Sequence, residues 1–213
     1  MQRPLLGCRM VKAFIFDIGN VLLRFDFAPA VKHLSAHSSV DPTIGLAEVE
    51  RLKLPYERGD TDTPTFLRQI RKALGYEGSD EELVRCYQEI FWANEPMHRL
   101  VETLAPQFPL FLLSNTSQLH LDYVEATFPV FRHFRGGIYS HLAGCAKPEA
   151  IIYEKVLSSF DLDPASTIFI DDLLPNIETA RSLGFHAIHY DPLDHPTLMR
   201  ELASRLPETN LPA

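Results

Sequence analysis

The 213-residue sequence predicts an α/β fold: a doubly wound parallel sheet with a small α-helical insertion after its first strand. Three patterns predict it. Almost unbroken apolar runs stand at residues 11–16, 109–113 and 167–170, as strands buried on both faces of a parallel sheet require. Helix-period segments alternate with those runs. A long stretch after the first run carries helical spacing and no clear strand.

In chain order, residues 1–10 read as a loosely ordered leader, and Met10 is a possible alternative start. The first strand, around Phe14, Ile15 and Phe16, ends at Asp17, and Gly19 and Asn20 follow, both tolerant of tight-turn backbone angles. Helical spacing begins at Ala30, with Val31 and Leu34 three apart, and continues in four segments to about residue 93. Phe66, Ile70 and Leu74 recur at spacing four and stop at Gly75. Ser79 and Glu82 have the spacing of a capping box ahead of Leu83, Cys86, Tyr87, Ile90 and Phe91. Between these pieces lies a polar loop, Tyr56 to Asp60; the aromatic positions read as the insertion's own core. Pro96 to Leu104 is a helix, and the second strand ends in Ser114-Asn115-Thr116. A helix over 117–128, a short strand over 137–140 and a helix over 148–160 follow, the last just after Lys147. The third strand ends in Asp171-Asp172. A helix over 176–183 closes at Gly184, then come a strand over 185–190, a short helix from His195, and a fraying tail through Pro207 and Pro212.

Composition narrows the class. With 46% hydrophobic and 23% charged residues the chain buries a sizeable core. A formal charge of −8 argues against a nucleic-acid surface but not against an anionic substrate, because a metal ion and one lysine invert the field locally. No run approaches the ~20 apolar residues that span a bilayer. Cys8, Cys86 and Cys145 are scattered, with no CxxC pair, the usage of a reducing compartment; a cytoplasmic protein is expected. Leu5-Leu6-Gly7-Cys8 looks like a lipoprotein cleavage site, but the apolar stretch before it is too short. The nine histidines show no ligand spacing and read as surface or core residues.

A parallel sheet aligns the C-terminal ends of its strands, where open α/β folds place their ligands. Asp17, Ser114-Asn115 and Asp171-Asp172 therefore converge from distant parts of the chain, with Lys147 at the head of a helix. Each taken alone would pass as a cap, a turn or a solvated charge. Together they make a site with carboxylates in excess of cations, which repel unless neutralised. Mg²⁺ is the natural partner, since it takes one or two carboxylates plus waters and phosphate oxygens.

FDIGNVL, LLSNT, AKPEAIIY and IFIDDLLPNIETARSLG, in that order, resemble the four motifs of the haloacid dehalogenase superfamily over nearly the whole chain. The closest likeness is to bacterial phosphatases of the α-D-glucose-1-phosphate type, which share FD-aliphatic-GNV and an ERG loop. The resemblance implies a Rossmann-like core over 10–23 and 94–205 and a helical cap over 24–93. It implies a Mg²⁺-dependent phosphatase of a small phosphorylated metabolite, a sugar phosphate among the options, acting through an aspartyl-phosphate. Asp17 is then the nucleophile. Asp17, Asp172 and the carbonyl of Gly19 hold the metal, and Asp171 assists directly or through water. Ser114, the amide of Asn115 and Lys147 receive the phosphoryl group. Asn176 is a weaker candidate for orienting a metal water, and Arg58 in the cap loop is a substrate contact.

One departure matters. Many phosphatases of this superfamily carry a second Asp two residues after the nucleophile as general acid and base; here that position is Gly19. The missing proton transfer is typically worth ~10²–10⁴ in rate. Asp26, His33, His37 and Glu57 are the cap-side candidates to replace it. A sugar anomeric oxygen, a better leaving group than an ordinary alkoxide, would also ease the demand. Three rivals stand beside the phosphatase. A 2-haloacid dehalogenase would carry Ser and Asn in place of Asp171-Asp172, a regulatory module would have lost the chemistry at Gly19, and a mutase depends on the acid–base exchange that Gly19 removes. Substrate identity rests with the shape of the cap, and nothing in the sequence specifies an oligomeric state.

Overall fold

The computed structural model describes residues 10–207, 209 and 211. The expected leader, apart from an exposed Met10, lies outside the described residues, as do Cys8 and Pro212. The elements in chain order are β1 (Ala13–Phe16), β2 (Leu23–Phe25), α1 (Ala28–Ala36), α2 (Pro42–Glu57), α3 (Thr63–Leu74), α4 (Asp80–Gln88), β3 (Phe91–Ala93) and α5 (Glu95–Leu104). They continue as β4 (Leu110–Ser114), α6 (Gln118–Thr127), β5 (Gly137–Tyr139), α7 (Ser140–Ala143), α8 (Ala150–Phe160), β6 (Thr167–Asp171), α9 (Leu174–Ser182), β7 (His186–His189) and α10 (His195–Arg205).

Five strands form one sheet in the order β5-β4-β1-β6-β7, and every neighbouring pair is parallel. β1 is the central strand. Its alternation splits the core in two: Phe14 and Phe16 face α5, α6 and α10 through Leu100, Val101, Leu121 and Leu202. Ala13 and Ile15 face α8 and α9 through Ile152, Tyr153, Ile177 and Ala180. Side chains of successive strand residues point to opposite faces, so a run that is apolar at every position must be covered on both. This is the doubly wound, Rossmann-like architecture that the apolar runs predict.

Residues between β2 and β3 pack a third core of their own, from Tyr56 on α2, Phe66, Ile70 and Leu74 on α3, and Leu83 and Tyr87 on α4. Helix α3 presents its apolar residues one turn apart and ends where Gly75 takes the left-handed conformation, φ +56°. Fully burying each such side chain is worth ~1.5–3 kcal/mol. Ser79 caps α4 by accepting from the Glu82 N–H at 3.1 Å, but the box is half made, because the Glu82 carboxylate turns instead to Tyr76 and His33.

Two local expectations need correction. The helix containing Leu83 does not run on through Phe91: it stops at Gln88, and Phe91–Ala93 pairs antiparallel with Leu23–Phe25. These two strands are the stem by which the chain leaves the sheet and returns to it. Three-residue strands carry no readable period, and their pairing partner lies far away in sequence, so tertiary contact overrides the helical pattern. The stretch from Tyr56 to Asp60 is also not a free polar loop, since Tyr56 and Glu57 form the last turn of α2 and Tyr56 is buried against Phe66. Among the described residues no helix is long and apolar enough to cross a membrane.

Candidate active site

Asp17 follows the last residue of the central strand and is anchored there by its own N–H, which donates to the Ile170 carbonyl at 3.0 Å. β4 places Ser114 on one side of it and β6 places Asp171 on the other. Lys147 reaches in from the loop before α8. Its Nζ lies 2.8 Å from Asp17 Oδ1 and 2.6 Å from Asp171 Oδ2, with all three side chains buried. The approach to Asp17 Oδ1 is close but lacks the alignment of a hydrogen bond. The loop carrying Lys147 is itself held by Asn115, whose side chain accepts from the Lys147 N–H at 2.8 Å and donates to the Lys147 carbonyl at 2.9 Å. Asn115 thus joins the site through its side chain as a clamp on the lysine.

The acidic pair divides its labour. Asp171 is fully buried and both of its oxygens are engaged: Oδ2 with Lys147, Oδ1 with the Leu173 N–H at 2.9 Å and Asn176 Nδ2 at 2.8 Å. It does not line the cavity. Asp172 does, and one of its oxygens accepts from Asn20 Nδ2 at 3.0 Å. Asn176, expected near a metal water, lines the cavity and donates to Asp171. Asn20 appeared in the sequence as a turn residue only; its left-handed backbone, φ +53°, turns its amide toward Asp172. An Asn after a Gly at a strand end was the available signal.

Asp17, Asp171 and Asp172 each offer a carboxylate oxygen within 4.8 Å of the others. Burial is the main reason that the Asp17 carboxyl is held up at about 6; Lys147 opposes the shift, while Asp171 and Asp172 add to it. Burial also raises the Asp172 carboxyl, against the hydrogen bond from Asn20. For Lys147 burial alone would lower the pKa, but the two carboxylates outweigh it and keep the ammonium charged. Three carboxylates facing one ammonium leave an excess of negative charge out of water. The carboxylate oxygens of Asp17 and Asp172 fit a hard divalent cation.

Above these groups opens a cavity of ≈ 310 Å³. Its floor is Asp17, Gly19, Ser114, Asn115, Lys147 and Asp172; its roof includes Phe25, Phe27, Lys53, Glu57 and His120. Arg58 is not there. Its guanidinium pairs with Glu149 at the head of α8, tying the end of α2 to the core, so the expected substrate contact is a clasp between the insertion and the sheet domain. Of the four cap-side groups considered for proton transfer, Glu57 alone lines the cavity. Asp26 caps α1 through the Ala28 N–H, His33 pairs with Glu82, and His37 stacks beside His33. His120 is buried, bonded to the Tyr87 carbonyl and stacked on the Tyr87 ring; burial presses its pKa down to about 4, so it is neutral.

Known proteins resemble this chain in sequence and fold. The chain is 26% identical over 186 residues to the sesquiterpene phosphatase astK of Aspergillus oryzae, covering 85% of this chain and 91% of that protein. It is 25% identical over 189 residues to the D-ribitol-5-phosphate phosphatase of Bacteroides thetaiotaomicron, covering 83% and 90%. A crystal structure of a HAD family enzyme from Bacteroides thetaiotaomicron, in complex with magnesium and inorganic phosphate, superposes with a TM-score of 0.73 at 25% identity over 85% of this chain and 95% of that one. The family model of the haloacid dehalogenase-like hydrolases matches residues 11–184, a span that runs from the strand bearing Asp17 past the helix that orients Asp171. With an acid at the end of the central strand and its partners on the two flanking strands, the chain belongs to the haloacid dehalogenase-like hydrolase family.

Proposed function

We propose that this hydrolase is a cytoplasmic, Mg²⁺-dependent phosphatase that cleaves the monoester of a small phosphorylated metabolite through an aspartyl-phosphate on Asp17. The observation that carries the reading is the Asp17–Lys147 pair at 2.8 Å, at the floor of a cavity with Asp172 beside it. The names of two relatives, both phosphatases, and the magnesium and phosphate bound to the Bacteroides enzyme support it. In this reading residues 24–93 are the cap over a core of 10–23 and 94–205, and the β2–β3 stem is its hinge side.

Asp17, Asp172 and the Gly19 carbonyl would hold the metal; Asp171, whose oxygens are both taken, instead fixes Lys147. Bound Mg²⁺ supplies positive charge between an anionic nucleophile and an anionic substrate. Ser114, the backbone N–H of Asn115 and Lys147 bind the phosphoryl oxygens, where charge spreads in the transition state. A carboxylate oxygen of Asp17 forms a bond to phosphorus as the ester P–O bond breaks, and the leaving oxygen takes a proton. Water then attacks phosphorus, loses a proton, and frees Asp17 and inorganic phosphate.

Glu57 is our choice for that proton. It lines the cavity, and burial raises its pKa against the pull of Lys53, 3.8 Å away, which favours the protonated acid. Glu57→Gln is expected to slow hydrolysis of alkyl phosphates by about 10²–10⁴ while sparing p-nitrophenyl phosphate, whose leaving group needs no proton. Adding Gly19→Asp to that variant should recover part of the loss. A Cβ at Gly19 would stand 3.3 Å from the Phe25 ring, so the ring must give by a few tenths of an ångström. Equal losses on both substrates, or no recovery in a folded double variant, would remove Glu57 from the role.

The reading itself is tested by phosphate release from p-nitrophenyl phosphate with and without Mg²⁺, together with peptide mapping of acid-quenched enzyme. Mg²⁺-dependent turnover and a phosphoryl label on Asp17 are expected. Turnover with a label elsewhere, or no turnover at all, overturns it.

A further inference from the structure

The active-site cavity joins a polar floor to a wall in which Phe25, Phe27, Phe91 and Val124 stand beside Lys53, Glu57 and His120. A sugar there would set its hydroxyls against aromatic rings, and a hydroxyl desolvated without a partner is costly. A second cavity of ≈ 80 Å³ lies within the helical insertion, lined by Val31, Leu34, Val49 and Leu83 among others. Helix α1 has no buried residue, although Val31 and Leu34 both face this space. The helical insertion has therefore left an apolar hole beneath α1 instead of closing it. Such a hole forfeits packing energy and offers water few partners, so it favours an apolar guest.

The two cavities adjoin. Phe27 and Lys53 line both, and the Lys53 ammonium sits 5.1 Å from the centre of the Phe27 ring. Glu57, which lines the first cavity only, holds that ammonium on the active-site side at 3.8 Å. The two side chains shared by the cavities are thus one ring and one flexible aliphatic stem, which a hydrocarbon can displace or run along.

We propose that the substrate is the monophosphate of a long-chain hydrocarbon alcohol, its chain passing between Phe27 and Lys53 into the cavity under α1. This rests on the phosphatase reading and specifies the leaving group. The phosphate lies on the floor with Lys147 and Ser114, and the chain supplies the apolar surface that α1 lacks.

The test is kcat/KM for a series of straight-chain alkyl phosphates from butyl to dodecyl, below their micelle concentrations, with p-nitrophenyl phosphate as reference. Each methylene that enters an apolar site is worth about fourfold, so a rise of about 100-fold or more from butyl to decyl phosphate is expected. Leu34→Trp and Val49→Phe each fill the second cavity. In whichever variants melt cooperatively, the decyl-to-butyl ratio should fall about tenfold. Farnesyl phosphate beside dodecyl phosphate tells a prenyl from a straight chain; a gain with either supports the proposal. A flat or falling profile in the wild-type enzyme, with farnesyl phosphate no better than butyl phosphate, overturns it while p-nitrophenyl phosphate turnover leaves the phosphatase reading standing. A ratio unchanged in a folded variant overturns the second cavity as the chain's seat. Absence of p-nitrophenyl phosphate turnover overturns both.

Discussion

Asp17→Asn should abolish turnover, by about 10⁴-fold or more, and at the same time raise the melting temperature of the protein without Mg²⁺ at pH 7.5. The first half follows from the proposed role of Asp17 as nucleophile. The second follows from the charge the site carries. Burial, with help from Asp171 and Asp172, lifts the Asp17 carboxyl from 3.8 to about 6 against the attraction of Lys147. A folded pKa above the unfolded one means that the native state holds the proton longer. Stability therefore falls as pH rises from about 4 to about 6 and stays depressed above that. Two units correspond to on the order of 3 kcal/mol, or several degrees in a chain of this size. Asn cannot ionise and escapes the penalty. The gain in melting temperature should thus be clear at pH 7.5, shrink below pH 6 and vanish near pH 4. Mg²⁺ should raise the melting temperature of the wild-type protein and have little effect on Asp17→Asn. A variant less stable than wild type at pH 7.5 in metal-free buffer would show that Asp17 stabilises the fold, contrary to this account.

Lys147→Met should be the opposite case, inactive and strongly destabilised. Among the described residues Lys147 is the one cation in contact with Asp171, which is completely buried, and with Asp17. Removing one member of a buried ion pair leaves an uncompensated charge, at a cost of about 3–5 kcal/mol. The sign of the pH dependence is specific. Asp17, whose carboxyl is held up at about 6, takes its proton as pH falls, so the difference between variant and wild type should narrow there. Because the folded pKa of Lys147 is raised above 10.5, its own contribution is complete at neutral pH and is lost only as pH climbs through that raised value. Adding Asp171→Asn to Lys147→Met should restore part of the stability and none of the activity. Urea melts across pH 5–8 read the stability differences and their narrowing toward low pH. A Lys147→Met variant as stable as wild type at pH 7.5 would mean that the pair contributes nothing to the fold.

The legible part of the site was the part built from strand ends. A run such as Ala13–Phe16 is apolar at every position because both faces of a parallel strand are covered, and the fold then dictates where the next residue goes. Asp17, Ser114 and the Asp171-Asp172 pair could be brought together before any coordinates. What stayed hidden depended on side-chain direction. Asp171 and Asp172 are adjacent and chemically identical, yet one points inward to Lys147 and the other into the cavity. Arg58 and Glu57 are neighbours at the end of α2, yet the arginine turns to Glu149 and the carboxyl lines the cavity. Neither choice is written in residue type.

The amino-acid sequence by itself determined the class of fold, the helical insertion, and the strand-end residues that meet in the candidate site. It does so because periodicity and strand ends are local properties that any buried parallel sheet imposes. Only the tertiary structure decided the strand order, the β2–β3 stem, the seat of each carboxylate, and the two cavities that share Phe27 and Lys53. Those features come from contacts between residues distant in the chain, and the free energy that selects them exists only once the elements have packed.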